Sequence, residues 1–236
     1  TNGLKVITDN SQIAGQVLTC DSSGFGTWES PSVAFVNSES IVYVSKDGSN
    51  ANSGLTYDNP LDSILDAIVV ANNLITSGAN GVKIEVIDGE TYAEASILIL
   101  ETNIHLNAPS ATIEGSITFK GNSSAIVNKH YPIGGGDALV SVATQGESYY
   151  QAILMDGRGL LGSEINNVLL NINGSPLGRR LTFNVGSMIV GASGRGISND
   201  ASGSFNNIDG NVGNIILAGN GSTGIATSQR GNISIS

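Results

Sequence analysis

Cysteine is almost absent from this chain of 236 residues: Cys20 is the only one, so no intrachain disulfide can staple the fold. Proline occurs 5 times, aromatic side chains make up 5% of the chain and charged ones 13%. No apolar run approaches the ~18 residues of a membrane helix, which excludes a helical membrane insertion. Basic residues are as sparse, 10 against 20 acidic, giving a formal net charge of -10. Apart from Arg179-Arg180 they are scattered singly, so the basic stripe that grips a phosphate backbone is missing and nucleic acid is not an expected partner. What is there is 40% hydrophobic residues and 31 glycines without a G-X-Y period. That apolar content is too high for a disordered chain and the pattern excludes collagen. Isoleucine, valine, asparagine and serine dominate, which favours strands and turns and predicts an all-β protein, globular or fibrous.

The first thirty residues differ from the rest. Asp21-Ser-Ser-Gly24 reads as a turn between two short strands, the second holding Thr27-Trp28-Glu29, and Pro31 closes the unit. So small a hairpin is not stable alone in water, and Val17, Leu18, Phe25 and Trp28 need a covering partner, the following domain or further copies of the chain. We place a first domain at 1–35 and a second at 36–236. The second opens with an apolar strand at 41–44, a polar loop and an amphipathic helix over 61–77. Asp58 or Asn59 is the expected cap and Pro60 the first helical residue, and Leu61, Ile64, Leu65, Ile68 and Val69 share one face. Gly78 suits the terminator.

Beyond the strand at 82–87 the chain becomes a succession of short β segments at 97–100, 104–106, 117–119, 125–127, 138–142, 151–155, 167–172, 181–190, 212–217 and 232–235. Ile84, Ile104 and Ile126 are separated by 20 and 22 residues and Val168 and Met188 by 20, about one coil of a parallel β-solenoid. Asn-Gly pairs at Asn80, Asn173 and Asn220 keep a hairpin-built sandwich or barrel open. A solenoid needs its apolar ends covered, and the helix is positioned to cover the first coil. The chain opens on Thr1-Asn-Gly and ends in an alternating strand pattern, so a longer protein, truncated here at its C-terminus, is the expectation.

At this point the residues resemble known families. The run Val42-Tyr-Val-Ser-Lys-Asp-Gly-Ser-Asn-Ala-Asn-Ser-Gly-Leu-Thr-Tyr-Asp-Asn-Pro-Leu-Asp-Ser-Ile-Leu-Asp-Ala-Ile68 resembles the entry into pectate-lyase-like right-handed β-helices, where a strand, a loop and a helix precede the coils. The segment Gly15-Gln-Val-Leu-Thr-Cys-Asp-Ser-Ser-Gly-Phe-Gly-Thr-Trp28 is similar to a unit of tail fibres and attachment proteins of bacteriophages and some large DNA viruses. Together these resemblances imply a structural, receptor-binding segment on the virion surface. It would be a homotrimer through its N-terminal hairpins and would contact host surface polysaccharide or glycan and other virion tail proteins. A tailspike-like polysaccharide depolymerase and a secreted bacterial adhesin of the same fold are the alternatives. No family catalytic residue falls on a matching position, so the fold speaks to function only by analogy.

Chemistry-bearing motifs are few, and neither a cofactor nor a metal is expected. Two G-x-G-x-x-G matches, Gly157-Arg-Gly-Leu-Leu-Gly162 and Gly219-Asn-Gly-Ser-Thr-Gly224, precede no amphipathic helix and read as turns between coils. Asp47-Gly-Ser-Asn-Ala-Asn52 lacks the late bidentate glutamate of a calcium loop and reads as a polar loop. Asn166-Asn167, Asn206-Asn207 and Asn214 suit amide ladders at coil corners. His105 and His130 both read as ordinary surface residues. Asp88, Glu90, Glu94, Glu101, Glu114, Asp156 and Glu164 are the pool for any carboxylate pair acting on a glycosidic bond. Tyr92, Tyr131, Tyr149 and Tyr150 are the available sugar platforms.

Overall fold

A computed structural model describes residues 17–20, 26–29, 40–99, 103–133, 138–143, 146–160, 168–172, 178–199, 207–227 and 232–235. The chain divides into two units, Thr1–Ser38 and Glu39–Ser236. In the first, β1 (Val17–Cys20) and β2 (Gly26–Glu29) form the expected antiparallel hairpin, with Leu18 opposite Trp28. Phe25, expected beside them, lies outside the described residues.

The second unit is one sheet of thirteen strands, every pair parallel, wound about 314° around an axis. Its strands are β3 (Ser40–Val44), β4 (Val82–Val86), β5 (Thr91–Ile99), β6 (Ile104–Phe119), β7 (Ser123–Tyr131), β8 (Ala138–Val142), β9 (Gly146–Asp156) and β10 (Val168–Ile172). They continue as β11 (Arg179–Val190), β12 (Arg195–Asn199), β13 (Asn207–Leu217), β14 (Thr223–Thr227) and β15 (Asn232–Ile235). From β6 onward the odd strands stack on one another, and so do the even strands β8 to β14. The chain therefore returns above its starting point once per coil. That pattern marks a β-solenoid, and it displaces the sandwich alternative, which needs antiparallel hairpins.

Val42, Ile84, Leu106, Ala125, Tyr150, Phe183, Gly210 and Ile235 fall in one column. The first six are buried in a single core cluster. From Ile84 onward the column advances by 19 to 33 residues per coil, so the 20-residue period marks the wrong rungs. Ile84 pairs with Leu106 rather than Ile104, and Ile126 pairs with Asn107 on the outer side. A Cβ on Gly210 would lie 2.2 Å from the Phe183 carbonyl oxygen and 2.6 Å from its ring, so the glycine makes room for the residue beneath it.

One helix start and one histidine differ from expectation. Helix α1 (Ile64–Thr76) begins after Ser63, not at Pro60. Leu61 is captured by the sheet, bridging to Val44 and donating its N–H to the Tyr43 carbonyl. Ile64, Ala67, Ile68 and Ala71 form the buried face, with Leu61 buried beside it, whereas Leu65 and Val69 are 41% and 57% exposed. The buried face extends from Ile64 and Ile68 toward Ala67 and Ala71, which leaves those two on the opposite flank. Its C-terminus is as expected, with Gly78 at φ 104° and the Ala79 N–H returned to the Leu74 carbonyl. The other correction is His130, which is fully buried rather than on the surface. It stands in an inner column between Ile113 and Met155. Its Nε2 lies 2.8 Å from the Gly115 carbonyl and its Nδ1 2.8 Å from the Tyr150 hydroxyl. A carbonyl only accepts, so Nε2 carries the proton, and in the neutral ring Nδ1 accepts from Tyr150. Burial holds the pKa of this imidazole down to about 4 and pushes the Tyr150 phenol well up.

Candidate outer-face groove

Alternation along the first strand of each coil sends one residue in and the next out. Ile104 and Leu106 enter the core, so His105 faces outward, as the pattern predicts. Parallel stacking then brings Lys83, His105, Ser124, Tyr149, Thr182 and Asp209 into one outer column, although 126 residues separate its ends. His105, Ser124, Tyr149 and Thr182 line an open groove of about 650 Å³, walled at one margin by Asn103, Asn122 and Glu147.

The groove is built from fixed polar groups. His105 Nδ1 is 2.9 Å from Ser124 Oγ. Asn103, in a left-handed conformation at φ 62°, donates from Nδ2 to the Asn80 carbonyl, and Asn122 Oδ1 accepts the Glu147 N–H. The Tyr149 hydroxyl donates to Gln151 Oε1, which pins the ring. Arg180 sits between Glu147 (3.5 Å) and Asp209 (3.2 Å), one cation facing two carboxylates. Hydroxyl, amide and imidazole groups at a fixed strand spacing beside one aromatic ring suit a polyhydroxylated ligand.

The other sequence candidates go elsewhere. Tyr92 and Tyr150 are core residues, unable to serve as platforms because the inward phase of their strands buries them completely. Tyr92 donates its hydroxyl to Asp88, which also accepts the Lys46 N–H; that hydrogen bonding holds the Asp88 carboxyl below its usual range against the opposing effect of burial. Glu94 is buried and holds the start of α1, accepting from Ile64 N (2.7 Å) and Leu65 N (2.8 Å). Asp156 is tied to Arg158. Glu90 is exposed and Glu114 half-buried, and Glu101 and Glu164 lie outside the described residues. Among the described residues no group of three His, Cys, Asp or Glu is placed to hold a metal ion. The 47–52 loop folds onto the chain at Pro60, with Ser49 N and Asn52 Nδ2 both donating to the Pro60 carbonyl.

Both G-x-G-x-x-G segments open on turns. The carbonyls of Gly157, Gly191 and Gly219 accept from Leu160, Gly194 and Ser222, one turn at the same corner of three successive coils. Leu161 and Gly162 lie outside the described residues, as do Asn166, Asn167 and Asn206. Sequence reasoning missed the groove because its residues are polar, singly placed and joined only by coil register. Compared with models of protein families, with curated proteins and with solved structures, the chain matches none.

Proposed function

We propose that this chain is a structural and receptor-binding segment of a virion host-attachment fibre or spike, and that it holds host surface glycan on the outer face of its first strand ladder. The observation that carries the reading is the groove over His105, Ser124, Tyr149 and Thr182, a pre-formed polar track with an aromatic wall. The resemblances of 42–68 and 15–28 supply the viral setting. In this reading the solenoid is a right-handed β-helix, α1 covers its N-terminal end, and the hairpins of 1–35 intertwine in a homotrimer. Binding is favoured over cleavage because Glu147 is the one carboxylate among the described groove residues and it is paired with Arg180, whereas hydrolysis by paired carboxylates needs two.

An array of neutral and acidic surface glycans, probed with the parent chain and with Tyr149→Ala, tests this. The parent should retain a subset of glycans, and Tyr149→Ala should weaken that binding about tenfold or more with its melting temperature unchanged. No retention on any glycan, or retention indifferent to Tyr149, would contradict the proposal. Release of reducing or unsaturated ends from the bound glycan would turn the reading to the depolymerase.

A further inference from the structure

We infer that the ligand is a linear, neutral oligosaccharide lying along the solenoid axis, with its far end held by Tyr43 and Tyr57; the inference rests on the glycan reading of the groove. Tyr43 is an outward residue of β3, and Tyr57 from the following loop packs against it edge to face, ring centroids 5.8 Å apart at 73°. That contact leaves Tyr57 62% exposed, an aromatic ring largely open to solvent on a chain with few aromatics. It marks the β3 end of the same outer face that carries Tyr149 on β9. From β3 the ladder runs through β4, β6 and β7 to β9. Four steps at about 4.8 Å separate the two aromatic stations by ~19 Å, and an extended pyranose chain advances by about one such step per residue, so about four to five sugars span the interval.

The surface between the stations is mostly polar. Glu85, Asn107 and the apolar Ile126 continue the row that starts at Tyr43, and Lys83, His105 and Ser124, following Ile41, form the adjacent row that reaches Tyr149. The Glu85 carboxylate is held by both Lys83 and Asn107 Nδ2, so these groups are ordered before any ligand arrives. Direction follows from shape at the β3 end, where β4 presents only Lys83 and Glu85 outward, about 7 Å apart, while the ladder continues across many strands, so a chain of several sugars that reaches Tyr57 runs along the axis. Charge sets the class: Lys83 is compensated by Glu85, and Arg180 by Glu147 and Asp209, within a chain of net charge -10, which disfavours a polyanion.

Titration calorimetry of the parent, Tyr57→Ala and Tyr149→Ala with glucose, mannose and N-acetylglucosamine oligomers of one to six residues is the test. In the series that binds, affinity should climb with length to about four or five residues and then level off. Tyr57→Ala, at an exposed position that leaves the fold intact, should abolish that climb, at least tenfold for the pentamer, and leave the dimer unchanged. Tyr149→Ala should weaken dimer and pentamer alike. A pentamer no tighter than the dimer, or a pentamer indifferent to Tyr57, overturns the axial track while dimer binding sensitive to Tyr149 preserves the groove. Tighter binding of an oligogalacturonate of equal length overturns the neutral class. Absence of binding in every series overturns the groove reading and this inference with it.

Discussion

His130 places an ionisable ring, fully buried, in a mostly apolar core, where loss of hydration disfavours its charged form. Because its folded pKa, about 4, lies below the ordinary 6.5, the unfolded chain takes up the proton first as pH falls. Stability is therefore complete above pH 6.5 and is lost progressively as pH falls toward 4, by roughly 3 kcal/mol. Denaturant unfolding across that range should show this loss in the parent and not in His130→Leu, which starts from a lower stability because Tyr150 and Gly115 lose their partner. The parent-minus-variant difference removes Glu94, whose carboxyl burial raises and whose slope has the opposite sign. Gly115 is the neighbouring constraint: at φ 136°, a Cβ would stand 1.8 Å from the Glu94 carbonyl oxygen. Gly115→Ala should cost roughly 3 kcal/mol or more in the same measurement. Sequence reading gave the outward direction of His105, whose neighbours Ile104 and Leu106 define the phase, but not its place in the groove. It failed for His130, whose neighbours Asn128, Lys129 and Tyr131 are all polar or amphipathic, leaving no local sign of which side faces in.

At the scale of elements, α1 is secured at its N-terminus by side chains rather than by its own sequence alone. The first three N–H groups are all satisfied, Ile64 and Leu65 by Glu94 and Asp66 by Ser63. Replacing Glu94 by Ala removes the acceptor of two of them, the buried Ile64 N–H and the part-buried Leu65 N–H, and should lower stability by about 1 to 3 kcal/mol, read as a lower midpoint in urea. The face that α1 buries is tested by a pair of substitutions. Ile68→Asp places an unpaired charge in the core and should unfold or aggregate the domain, whereas Val69→Asp, on the exposed side, should melt with the parent. Equal behaviour of the two would contradict the packing of the helix. The helix itself was legible from its 3.6-residue pattern and from Gly78. Its start was not, because the competing partner of Leu61 is the β3 backbone, and Glu94 lies some thirty residues downstream with no local signal that it will meet this helix.

For the whole molecule, parallel winding converts residues far apart in sequence into one continuous surface, and both the core and the outer groove are consequences of it. Strand existence was largely visible in the β-branched segments, while coil register was not: insertions at the corners vary each turn from 19 to 33 residues, so no fixed period identifies the rungs. The proposed homotrimer predicts a light-scattering mass near three times 24.1 kDa at micromolar concentration, reduced toward a single chain on deletion of 1–30. A full-length mass near 24.1 kDa would contradict it. The central claim, a parallel solenoid whose outer first ladder is the ligand face, is tested most directly by the two histidines. Diethyl pyrocarbonate modification, mapped by mass spectrometry with and without the glycan selected on the array, reads both positions in one experiment. The account predicts that His105 is modified in the free chain and protected by glycan, while His130 stays unmodified in both samples; modification of His130 in the native chain, or glycan that leaves His105 fully reactive, would contradict it.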